Sequence, residues 1–84
     1  MRRPERVSEA AWRRAESESH IVPIIAATGI WDGWRVTWPA ADGTRRTVEI
    51  CHSRYQEAYE KIMTWRTARA AELDVAHRRG EIVL

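Results

Sequence analysis

Residues 33–65 decide the fold of this chain. They open as Gly33-Trp34-Arg35-Val36-Thr37-Trp38, turn through Pro39-Ala40-Ala41-Asp42-Gly43, and return as Thr44-Arg45-Arg46-Thr47-Val48-Glu49-Ile50. Successive side chains on a strand point to opposite faces. Trp34, Val36 and Trp38 therefore share one face, with Arg35 and Thr37 on the other. On the returning strand Val48 and Ile50 continue the apolar face, and Arg45, Thr47 and Glu49 the polar one. A short connection containing Asp-Gly suits a hairpin. An antiparallel sheet patterned this way packs one side on helices and turns the other to water or a partner.

Downstream, Ser53 and Gln56 have the spacing of a capping box, which starts a helix over residues 53–79, with Gly80 just past its end. Its apolar stripe comprises Tyr55, Ala58, Tyr59, Ile62, Met63, Trp65, Leu73 and Ala76. Glu57 with Lys61, and Asp74 with Arg78, have the spacing of favourable i,i+4 pairs. From Thr67 onward the helix is alanine-rich and charged. It either projects beyond the sheet or pairs with a second copy, giving a homodimer through the helix after Trp65.

Upstream, Ser8 is a good N-cap, with Val7 and Trp12 placed to close a hydrophobic staple. A short helix over residues 8–19 follows, carrying Ala11, Trp12 and Ala15 as its apolar set and a Glu9–Arg13 pair. The run Ile21-Val22-Pro23-Ile24-Ile25-Ala26-Ala27-Thr28 is rich in β-branched residues and reads as a strand. Pro23 confines it to a sheet edge or makes it begin after the proline. Gly29 and the Asp32-Gly33 pair mark turns on either side of Ile30 and Trp31. The closing Glu81-Ile82-Val83-Leu84 either adds a strand or covers an apolar edge. The expected architecture is one α+β domain over residues 1–84, in the order α-β-β-β-α. A three-stranded antiparallel sheet over residues 21–51 packs on the long C-terminal helix.

A chain of 84 residues buries roughly 60–65% of its unfolded surface, enough for one thin core. With 44% hydrophobic and 31% charged residues it falls in the globular class. The basic residues are arginines apart from Lys61, which suits recognition of carboxylates, phosphates or base edges and equally suits a GC-rich genome. A pI of about 9.2 permits nucleic-acid contact without requiring it. Cys51 is the single cysteine, so no internal disulfide forms and a reducing compartment is expected. No apolar stretch follows the Met1-Arg2-Arg3 start, and no apolar run is long enough to span a membrane. The expected location is cytoplasmic.

Catalytic chemistry finds little support in these residues. Cys51 and His52 are neighbours, and on a continuous strand their side chains diverge, so the thiol reads as a small buried apolar group. His20, His52 and His77 stand singly, without partners at metal-ligand spacing. No glycine loop cradles a phosphate. The expectation is a protein without enzymatic activity, metal or cofactor. Of the five tryptophans, Trp12, Trp34, Trp38 and Trp65 supply bulk to a core that has no phenylalanine. Trp31, next to a turn, is placed to anchor a partner.

The Trp34-Arg35-Val36 strand, the Asp42-Gly43 turn, Arg45-Arg46 and a helix carrying Glu57-Ala58 resemble the arm-type DNA-binding domains of phage tyrosine integrases. Those domains lay a three-stranded sheet into the major groove and back it with one helix. The resemblance covers about residues 29–65. It implies that Arg35, Thr37, Arg45 and Thr47 read DNA, with Ile24 to Ala27 in the third strand. The leading expectation is a small binding protein of phage or mobile-element type that contacts nucleic acid through this face, with Trp31 and Arg46 alongside. The alternative is a protein-binding inhibitor or regulator that blocks a host complex, such as an anti-defence, anti-CRISPR-like protein. A homodimeric interaction module is a third reading. A solvated sheet face has the same polar, threonine-rich composition.

Overall fold

The structure is a computed structural model that describes residues 4–84; the Met1-Arg2-Arg3 start lies outside the described residues. Helix α1 (Glu9–Glu18) leads into strands β1 (His20–Ile25), β2 (Trp31–Pro39) and β3 (Arg45–Cys51). A single 3₁₀ turn (His52–Arg54) then feeds helix α2 (Tyr55–Arg78). The sheet is antiparallel with β2 in the centre. The chain is a small α+β domain in the order α-β-β-β-α.

Helix α1 starts where its sequence says it should. The Ser8 hydroxyl accepts from the Ala11 N–H at 3.2 Å, and Val7 and Trp12 meet in one buried cluster, the staple that fixes chain entry. Asp74 on α2 reinforces this end by accepting from the Ser8 N–H at 2.8 Å and its hydroxyl at 2.5 Å. Asp74 thus bonds across to α1, while Glu57 pairs with Arg54.

The 24 residues of α2 span about 36 Å and serve two small cores. Ala58 and Ile62 in the first half close on Val36 and Ile50 of the sheet, flanked by Ile21, Trp34, Trp38 and Val48. In the second half Ala70 and Leu73 close on Val7, Ala11, Trp12 and Ala15. Leu73 and its neighbours are thus covered within the chain by α1. The tail forms no strand: Ile82 and Leu84 pack against this second cluster. The helix ends in a Schellman arrangement. Gly80, at φ 74°, donates to His77 and Glu81 donates to Ala76.

Three local expectations are corrected. Asp32-Gly33 is not a turn but part of β2, because the reversal is made by Gly29, at φ 82°, donating to Ala26. Ser53 caps nothing: the 3₁₀ turn intervenes, α2 has no side-chain cap, and the Ser53 hydroxyl lies 3.3 Å from the Cys51 sulfur. Cys51 is exposed rather than buried, because it occupies the uncovered face of the sheet, where it pairs with Gly33.

Candidate functional site

Cross-strand register places the polar residues first. Arg35 lies opposite Glu49 and Thr37 opposite Thr47, while His20 and Val22 of β1 pair with Thr37 and Arg35. With Arg45 at the hairpin end, these side chains form the sheet face that no helix covers. The expected surface therefore exists, but two of its arginines already have acceptors. Arg35 donates from Nε and Nη2 to Glu49 at 3.3 and 3.0 Å. Arg45 reaches across to the Glu18 carbonyl at 3.0 Å. Arg46 pairs with Trp38 and so stands on the opposite, helix-facing side, apart from Arg35, Thr37, Arg45 and Thr47.

Trp31 lies elsewhere again, and a one-residue irregularity puts it there. The β1–β2 pairing runs regularly to Ile24↔Gly33, then slips so that Ile25 meets Trp31. A bulge of this kind re-aims the side chains of the bulged strand. It moves Trp31 to the side of the sheet that carries Trp34. The two indoles meet edge to face, 4.9 Å apart at 85°, and the Trp31 Nε1 donates to the Gly33 carbonyl at 2.9 Å. The ring contacts continue from Trp34 to Tyr55 at 4.8 Å and from Tyr55 to Tyr59 at 6.3 Å, with His52 beside Trp31 at 5.9 Å. Trp31 remains 42% exposed, and Ile25, Ile30 and Tyr55 are exposed as well. One end of the sheet thus carries an apolar tip of Ile25, Ile30, Trp31 and Tyr55.

Beside the tip, the backbones of β2 and β3 come close at Gly33. A Cβ there would stand 2.4 Å from the Ile50 carbonyl oxygen, a separation that bonded strands do not tolerate. Near the tip the Cys51 thiol is drawn below its ordinary pKa, first by the Ser53 hydrogen bonds. Its sulfur is 3.9 Å from the His52 Nδ1. The neighbours approach because the strand stops at Cys51 and the 3₁₀ turn begins at His52. Among the described residues, no three of His, Cys, Asp and Glu are gathered to hold a metal ion.

Comparisons of this chain with protein-family models, with curated proteins and with solved structures find no match. A concavity of about 550 Å³, open to solvent, runs between Trp38 and α2 at Glu57, Glu60, Lys61 and Thr64. Among the described residues, no helix is long and apolar enough to cross a membrane.

Sequence reading singled out Trp31 but missed its company. Ile25, Ile30, Tyr55 and His52 join it through the bulge and the 3₁₀ turn, neither of which leaves a periodic signal. The nearest clue was the pair of turn-flanked apolar residues, Ile30 and Trp31, which no alternating pattern buries.

Proposed function

We propose that this protein is a protein-binding module whose recognition surface is the apolar tip of Ile25, Ile30, Trp31 and Tyr55. The observation that carries this reading is the state of Trp31. Its ring is nearly half exposed, yet the Gly33 carbonyl and the edge of Trp34 fix its orientation. Tryptophan is prominent among residues that dominate binding energy. An anchor already held in place loses little conformational freedom on binding. The indole N–H is used internally, so the ring offers a partner apolar area rather than a donor.

The uncovered sheet face supports nucleic-acid binding less well. Arg35 is engaged by Glu49 and Arg45 by Glu18, and Glu49 places negative charge among the cations that would meet phosphate. Of the two expectations raised by the sequence, the protein partner is therefore the one we carry forward.

Photo-cross-linking tests it. A benzophenone amino acid at Ile30, irradiated in cells, should give a discrete protein adduct that survives nuclease and disappears with Trp31→Ala. Quenching of tryptophan fluorescence by a DNA or RNA oligonucleotide at low salt, released by added salt and lost with Arg35→Ala, would overturn the proposal in favour of the sheet face.

A further inference from the structure

The two edges of the sheet are not equivalent. In the β2–β3 hairpin the Ala40 N–H donates to the Thr44 carbonyl at 2.7 Å, and the register continues unbroken to Gly33↔Cys51. Antiparallel pairs alternate between bonded and non-bonded. Residues 46, 48 and 50 therefore turn their backbone groups toward β2, and Arg45, Thr47, Glu49 and Cys51 turn theirs outward. The same alternation across β2 turns His20, Val22 and Ile24 inward and Ile21, Pro23 and Ile25 outward. Pro23, which has no N–H to offer, thus sits at an outward position of β1, one of the ways proteins blunt an edge. On β3, seven residues with no proline and no bulge leave the edge open.

We propose that β3 is a self-pairing edge. A second copy of this chain adds its own β3 antiparallel, about a two-fold axis at Thr47, to make one continuous sheet. The side-chain sequence selects this register. An axis at Thr47 sets Arg45 opposite Glu49 of the second copy, twice by symmetry, and Thr47 opposite Thr47; opposite charges and threonine pairs are both favourable cross-strand neighbours. An axis at Val48 would instead set Arg45 opposite Cys51 and Thr47 opposite Glu49, with no charge pair. In the Thr47 register Glu49 lies between its own Arg35, 3.0 Å away, and Arg45 of the second copy. Arg45 spends one donor on Glu18 and a guanidinium has five. The helices leave room, since the two central strands would stand about 14 Å apart at the usual strand spacing, wider than a helix-packing distance of roughly 8–10 Å. This surface is separate from the apolar tip and does not depend on it.

Sedimentation velocity on the purified chain over a concentration series tests the pairing. The expected result is a shift from 9.8 kDa to twice that mass as concentration rises. Thr47→Pro removes an outward N–H that bonds to nothing among the described residues and should leave only monomer. Glu49→Arg should weaken association at least tenfold, and Arg45→Glu with Glu49→Arg should restore it; circular dichroism confirms that each variant is folded. A monomer at every concentration overturns the proposal. So does a dimer that survives Glu49→Arg but is broken by Ala68→Arg on the exposed side of α2.

Discussion

Arg66 and Ser19, 47 positions apart in the chain, are joined by two hydrogen bonds that fasten the end of α1 to the middle of α2. Arg66 Nε donates to the Ser19 hydroxyl at 2.6 Å and Nη2 to the Ser19 carbonyl at 3.1 Å. The Ser19 hydroxyl in turn donates to the Ala15 carbonyl at 2.9 Å. Both residues are buried, Arg66 at 7% exposure. Burial lowers the arginine's pKa, with the Glu16 charge opposing that shift, and a guanidinium stays charged throughout.

Removing either side chain loosens this tie. Arg66→Ala should cost about 2–3 kcal/mol and Ser19→Ala about 1–2 kcal/mol, both read from urea denaturation. The double variant should lose clearly less than the two added together, because the residues share one network. Strict additivity would show that the pair is not coupled.

Gly33→Ala forces a methyl group against the Ile50 carbonyl, which belongs to a bonded backbone and cannot rotate away. The expected loss is about 2 kcal/mol or more, or roughly 10 °C in melting temperature for a domain of this size. Gly29→Ala should cost less, since only its positive φ opposes the change and its Cβ meets open space. Equal melting temperatures for the two variants would contradict this account.

Acid should loosen α1 through Asp74. Its carboxylate accepts from the Ser8 hydroxyl and N–H, which holds its pKa below the ordinary 3.8. A depressed carboxylate contributes its full stabilisation above the unfolded-state pKa and loses it as pH falls through the folded-state value. Stability measured from pH 6 downward should therefore fall less steeply in Asp74→Asn than in the parent chain below about pH 4. Parallel curves would remove Asp74 from the acid response.

At the aromatic end, Trp34 Nε1 is buried with no acceptor among the described residues. Trp34→Phe, which keeps a ring and drops the unpaired N–H, should change stability by less than about 1 kcal/mol, whereas Trp34→Ala should cost about 3–5 kcal/mol. Trp31→Ala should cost only about 1–2 kcal/mol, mostly its ring contact and partial burial, while abolishing the cross-link from Ile30. A large stability loss with the cross-link intact would make Trp31 a packing residue.

The hairpin, both helices and the pairing of faces were legible because each rests on a period or a cap that survives in the letters. Ser8 with Val7 and Trp12 spelled α1, and Trp34, Val36, Trp38, Val48 and Ile50 spelled the face that α2 covers. What escaped depends on single residues out of period. The slip at Ile25 moves Trp31 across the sheet, and the 3₁₀ turn diverts Ser53 from its cap and leaves Cys51 exposed. Arg66 was readable in part: it occupies the stripe position between Ile62 and Ala70 where an apolar residue belongs. The candidate site was legible as residue types but not as engagements, since nothing in the letters ties Arg35 to Glu49 across the hairpin or Arg45 back to Glu18.

Because α2 serves two cores in succession, the molecule can open at one end while the other stays closed. Detaching α1 breaks its contacts with α2 from Arg66 onward and with the tail, together with the single Arg45 bond to the Glu18 carbonyl, and leaves Val36, Ile50, Ala58 and Ile62 packed. Amide hydrogen exchange should resolve this as two cooperative units. The α1 amides would be released at a lower opening free energy than those of β2 and of residues 58–66. The apolar tip belongs to the slower unit, so it keeps its shape through openings that free the N-terminal helix.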